Sequence, residues 1–132
     1  MPNVSFANIR PGGTYSRHDL AAMWGYASFH ALARGVVTPA GESTIILFVT
    51  ENKKPDREPY QDRLVGSTLY WEGPTDHFAE DRMRPGRHQT DEIRVFYRRD
   101  ANDDFTYLGL AEVVDYRVFF DRPSQFTFRV LA

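Results

Sequence analysis

The sequence contains no cysteine, which removes disulfide scaffolds, thiol chemistry and cysteine-based zinc sites together. It also lacks a long apolar run: the longest, Ile45 to Val49, is far too short to span a membrane. Met1 to Arg10 has neither the basic start nor the apolar stretch of a secretory signal, so a cytoplasmic protein with no membrane partner is expected. There is no surplus of positive charge, with 16 Lys and Arg against 18 Asp and Glu and a net charge of -2. A generally basic nucleic-acid coat is thereby excluded, and any nucleic-acid contact has to come from a local basic patch. No repeat and no low-complexity tract appears, which excludes solenoids and long linkers.

Catalytic motifs are missing as well. His18, His30, His77 and His88 form no i, i+4 pair and no His-x-Glu motif, so no metal and no cofactor are expected. There is no Gly-x-Ser-x-Gly elbow and no phosphate-binding glycine loop, and Gly12-Gly13 reads as a turn. Glu51-Asn52-Lys53 has the look of a nuclease fragment after a buried strand. The metal-holding Asp that such a site needs on a neighbouring strand is absent, so the triplet reads as the start of a solvated loop, Glu51 to Pro59. The chain is not expected to be an enzyme.

What is abundant is aromatic: 10 Phe, 7 Tyr and 2 Trp make 14% of 132 residues, enough for a core and for stacking surfaces besides. With 42% hydrophobic and 26% charged residues, the chain reads as one globular domain over 1–132. Ser16 and Asp19 have capping-box spacing ahead of Leu20, Met23 and Trp24, with Gly25 as the stop. A second short helix is expected from Ser28 to Ala33. Thr44 to Thr50 is β-branched and apolar on both alternations, the mark of a strand buried on both faces. Further strands are expected at Ser67 to Trp71, Glu92 to Arg98, Phe105 to Val114 (as one strand or two) and Gln125 to Leu131, with Glu72 to Asp91 irregular. The fold class is therefore α+β: a small, strongly curved antiparallel sheet or partial barrel with N-terminal helices.

Within that frame, Leu69-Tyr70-Trp71-Glu72-Gly73 sets Tyr70 and Glu72 on one strand face and Leu69 and Trp71 on the other. A ring beside a carboxylate can stack a base and accept from its amino group, although aromatic strands also serve simply as core. The segment from Asp76 to His88 carries Arg82, Arg84 and Arg87, and Arg94 and Arg98 follow on one strand. Arginine forks match phosphate oxygens; neighbouring acids would equally make this a solvated loop.

Six segments in order carry a resemblance. They are Tyr15 to Leu20, Gly35-Val36-Val37-Thr38-Pro39 before Ile45 to Thr50, Tyr60-Gln61-Asp62-Arg63, Leu69 to Gly73, Ile93 to Arg98, and Phe105 to Gly109. Together they resemble the SRA-like modified-DNA reader domains, of the PUA superfamily, found in modification-dependent (type IV) restriction systems. The resemblance implies a curved-sheet domain that binds double-stranded DNA and flips a modified base, 5-methylcytosine or 5-hydroxymethylcytosine, into an aromatic pocket. The pocket residues it implies are Tyr70, Trp71, Glu72 and Asp62, with Val36 and Thr38 at the mouth or groove. The phosphate contacts would be Arg82, Arg84, Arg87, Arg94 and Arg98. The reader would be nucleoid-associated, and would either work with a separate nuclease or helicase or be a reader reused without one. Two other readings stay open: an RNA-binding PUA-like module, and a protein-interaction module of a defence complex.

Overall fold

The computed structural model describes residues 2–52, 62–74, 76–83 and 91–131. The expected loop after Asn52 and the arginines Arg84 and Arg87 lie outside the described residues. Eight strands make one sheet: β1 (Thr14–Tyr15), β2 (Val36–Val37), β3 (Thr44–Asn52), β4 (Arg63–Val65), β5 (Thr68–Glu72), β6 (Glu92–Asp100), β7 (Phe105–Arg117) and β8 (Gln125–Val130). Their order is β2-β3-β6-β7-β8-β5-β4, with β1 added on β7. The sheet curls without closing, and β2 and β4 are its two ends.

The N-terminal helix α1 (Arg17–Trp24) starts and stops where its caps dictate. Ser16 Oγ accepts from Asp19 N at 3.0 Å, Asp19 Oδ2 accepts from Ser16 N at 2.9 Å, and Gly25 terminates the helix at φ 77°. Leu20, Ala21 and Trp24 are its buried face; Met23, expected among them, is exposed. The second helix is a single 3-10 turn, Phe29–Leu32, capped by Ser28. The segment after β5, expected to be irregular, holds among its described residues a short helix, α2 (Glu80–Met83).

Alternation on β3 and β6 divides the core in two. Ile45, Leu47, Val49, Ile93 and Val95 meet Leu69, Trp71, Phe126 and Phe128 inside the curl. Ile46, Phe48 and Phe96 point the other way, where Leu20, Trp24 and Leu32 cover the outer face with Phe105 and Tyr107. One pairing departs from an all-antiparallel sheet: β3 and β6 run parallel, in register from Thr44↔Glu92 to Asn52↔Asp100. A strand apolar on both faces suits a parallel central position, and the chain between them is long enough for the crossover. The strand β7 is continuous across Phe105–Arg117, yet its alternation breaks. An extra residue at Leu108, beside Gly109 at φ 99°, lets Phe105 and Tyr107 face the outer layer and Ala111 and Val113 the inner one.

Glu51 is strand, not loop. Its Oε1 accepts from Tyr97 Oη at 2.8 Å and Leu64 N at 3.1 Å, so the carboxylate is spent on joining β3 to β6 and β4.

Candidate nucleic-acid interface

The ladder between β2 and β3 is two residues long, Val36↔Leu47 and Val37↔Ile46, extended by one bond from Phe48 N to Gly35 O at 2.8 Å. Among the described residues no backbone ladder continues beyond it on that side of β3, and a cavity of about 260 Å3 lies there. Arg34, Gly35, Val36, Phe48 and Thr50 form one wall; Asp62, Trp71, Glu72, Gly73 and Pro74 form the other. The cavity therefore lies along the seam of the curl, between segments far apart in sequence.

Asp62 is the most enclosed polar group there, 3% exposed, and its Oδ1 accepts from Glu72 N at 3.0 Å. That bond ties the residue before β4 to the end of β5. Trp71 turns inward against Phe126 and Phe128, each at 5.8 Å, and is among the residues lining the cavity.

Behind Gly73 stands a buried polar brace. Ser124 Oγ donates to Glu80 Oε1 at 2.8 Å, Glu80 Oε2 meets His77 Nδ1 at 2.9 Å, and Gly73 N donates to Ser124 O at 2.8 Å. A Cβ on Gly73 would stand 3.0 Å from Glu80 Oε2, so only glycine fits without displacement. His77 and Ala79 hold φ of 58° and 65°, a left-handed conformation that costs non-glycine residues about 1 kcal/mol or more each. Across the seam, Arg34 donates twice to the Asp76 carboxylate, at 2.9 and 3.2 Å, and its guanidinium lies 4.4 Å from the Phe78 ring centroid. The Asp76 carboxyl is held below its ordinary range first by the Phe78 N–H and also by Arg34.

Of the six expected pocket residues, the structure brings Val36, Asp62, Trp71 and Glu72 to one cavity. Tyr70 is on the opposite face of β5, because alternation follows the inward Leu69 and Trp71. It is 41% exposed, with the Arg63 guanidinium 5.1 Å from its ring centroid. Thr38 is half-buried beyond β2 and does not line the cavity. Phe48 also lines the cavity, with its ring packed in the outer layer on Phe96 and Phe105; the sequence did not single it out because it sits in a run that reads as plain core.

The three expected phosphate contacts among the described residues, Arg82, Arg94 and Arg98, are not all gathered on one face. Arg82 is engaged with both oxygens of Asp91, at 2.7 and 2.9 Å, and lies against Ile93 and Ala111. Arg94 donates to Tyr107 Oη at 2.7 Å and to Glu92 at 3.2 Å, with its guanidinium 4.2 Å from the Phe6 centroid. Arg98 leaves the outer face of β6 and donates to Thr50 Oγ1 at 2.8 Å, which links it to the cavity wall. Among the described residues no cluster of His, Asp and Glu is arranged to hold a metal, and no helix is long and apolar enough to cross a membrane.

Compared with known proteins, no family model matches the sequence and no curated protein matches it. Solved structures do. The SUVH5 SRA domain in complex with hemimethylated CG DNA superposes with a TM-score of 0.63 at 12% identity, covering 99% of this chain and 94% of that one. The same domain with methylated CHH DNA gives 0.61 at 13%, with the same coverage, and with fully methylated CG DNA 0.59 at 14%, covering 99% and 95%. The fold is SRA-like over essentially the whole chain.

Proposed function

We propose, with the SRA-like fold as premise, that this chain reads a modified base in double-stranded DNA by taking it out of the stack into the seam cavity. The observation that carries the reading is the convergence of Val36, Asp62, Trp71 and Glu72, from three separate segments, on one small cavity. Its volume of about 260 Å3 is below the usual lower bound of about 300 Å3 for drug-sized ligands and suits a single base. Asp62 accepts from an exocyclic amino group, as a cytosine edge requires. Val36 and Trp71 supply an apolar wall for a 5-methyl or 5-hydroxymethyl substituent. The SRA structures of similar fold are complexes with methylated DNA, which favours 5-methylcytosine or 5-hydroxymethylcytosine as the ligand. On this reading the chain is a non-catalytic specificity module, nucleoid-associated in the cytoplasm, and cleavage belongs to a separate nuclease or helicase partner.

The test is fluorescence-polarisation binding at fixed moderate salt to matched duplexes carrying cytosine, 5-methylcytosine, 5-hydroxymethylcytosine or N6-methyladenine. A preference of about tenfold, or 1.4 kcal/mol, for one cytosine modification is expected. Equal, salt-sensitive binding to all four would reduce the protein to an electrostatic surface and overturn the reading.

One observation favours a second reading. Val114, Tyr116, Val118 and Phe120, at the end of β7 and past it, are all exposed, an apolar group suited to a protein partner. Absence of binding to any duplex or matched RNA would favour it.

A further inference from the structure

Arg17 and Arg98 meet on the outer face of the sheet. Arg17 opens α1, and its Nε donates to Leu32 O at 2.6 Å. Arg98 projects from β6, where Nε donates to Thr50 Oγ1 at 2.8 Å and a terminal nitrogen to Asp103 O at 3.3 Å. Both guanidinium groups sit against Phe105, 4.9 and 4.3 Å from its centroid, and Arg17 also lies 4.8 Å from the centroid of Phe48. Neither forms an ion pair with a carboxylate among the described residues. The other arginines near the cavity differ: Arg34 is committed to Asp76, and farther along β6 Arg94 reaches Glu92.

Two half-buried cations side by side repel each other, and burial costs each of them hydration. Burial, and after it the charge of Arg98, brings Arg17 down to about 10; burial lowers Arg98 as well, against a partial attraction from Asp103. An anion bridging the pair relieves both penalties, and guanidinium forks match the oxygens of a phosphate. Position narrows the choice of anion. Phe48, under Arg17, and Thr50, which accepts from Arg98, both line the seam cavity. An anion on the pair therefore sits just outside the wall behind which the base is held.

We propose that Arg17 and Arg98 together seat a backbone phosphodiester next to the base held in the cavity, an inference that rests on the duplex-reading function above. The ligand is a phosphate of the nucleic-acid backbone, and the pair contributes affinity without selecting the base. The experiment measures binding of plain and modified duplexes to Arg17→Gln and Arg98→Gln proteins across about 50 to 200 mM salt, with Tm measured in parallel. Each variant is expected to lose about five- to tenfold affinity for both duplexes alike, to leave their ratio unchanged, and to make the salt slope shallower by up to about one. If Arg17→Gln fails to fold because the bond to Leu32 is lost, Arg98→Gln alone decides. An unchanged slope in a folded Arg98→Gln protein overturns the proposal, and so does a loss confined to the modified duplex. Failure of the cavity reading looks different: the wild-type protein would show no preference between the duplexes, while its slope on the plain duplex would still respond to the two substitutions.

Discussion

Asp62 offers the sharpest test of the cavity, because two substitutions separate what it does for the fold from what it does for a ligand. Its Oδ1 accepts from Glu72 N at 3.0 Å in a site 3% exposed. Asp62→Ala leaves that donor unmatched at a cost of about 1–3 kcal/mol. For a domain of this length each kcal/mol lowers Tm by roughly 3–5 °C. Asp62→Asn keeps an amide oxygen for Glu72 N, so its melting point is expected to stay much nearer the wild type. A ligand senses a different loss. Hydrogen bonds to a charged group are worth about 1.5–3 kcal/mol against about 0.5–1.5 for neutral ones, so Asn weakens the base-specific mode by about 1 kcal/mol or slightly more. The preference for modified over plain duplex should then fall by about five- to tenfold in Asp62→Asn and vanish in Asp62→Ala. The assay is polarisation binding on both duplexes with a thermal melt on the same preparations. If both variants keep the wild-type preference while Asp62→Ala melts lower, Asp62 is a tie between β4 and β5 and the cavity assignment is refuted.

Three other outcomes follow from the geometry. Gly73→Ala places a Cβ 3.0 Å from Glu80 Oε2 and should cost about 1–3 kcal/mol by overpacking, read as a lower Tm with weaker modified-duplex binding; an unchanged melt would mean the brace yields freely. Ser16→Ala removes the cap to Asp19 N and should cost about 1 kcal/mol, seen by circular dichroism; no change would show that outer-face packing alone holds α1. Burial first, and then the hydrogen bond to Glu51, push the Tyr97 hydroxyl up to about 12 from 10.0. The folded value exceeds the unfolded one, so this stabilisation is fully present below pH 10 and is lost as pH rises toward 12. Discounted for solvent screening it amounts to about 1 kcal/mol. Tyr97→Phe should flatten denaturant stability across that alkaline window, and an equally steep fall would place its origin elsewhere.

Local grammar was legible in the sequence; long-range geometry was not. The capping box and Gly25 fix α1 within the chain itself, and the β-branched run of β3 states its burial on both faces. The parallel pairing of β3 with β6 has no local signature, since it depends on what the intervening segments do. Glu51 looked solvated because its partners, Tyr97 and Leu64, arrive from other strands. At the site, alternation correctly opposed Tyr70 to Trp71, and only the curl of the sheet decides which side encloses a cavity. Arg82 and Arg94 read as a basic patch because their ties to Asp91, Glu92 and Tyr107 form only on folding. Phe48, Arg34 and Arg17 stayed unremarked for the converse reason: each looks ordinary until the outer layer and the seam bring them beside the cavity.

The sheet that curls without closing has a mechanical consequence. Among the described residues no hydrogen-bond ladder joins β2 to β4. Besides the bond from Leu64 N to Glu51, what spans the gap among the described residues is a fastening of side chains, Arg34 gripping Asp76 and resting on Phe78. A closed barrel would have to unzip backbone pairs to admit a planar ring. On the proposed reading the aperture would widen at the cavity by releasing the exposed Arg34–Asp76 ion pair, which dissolved salt loosens, with the backbone ladders of the sheet left in place.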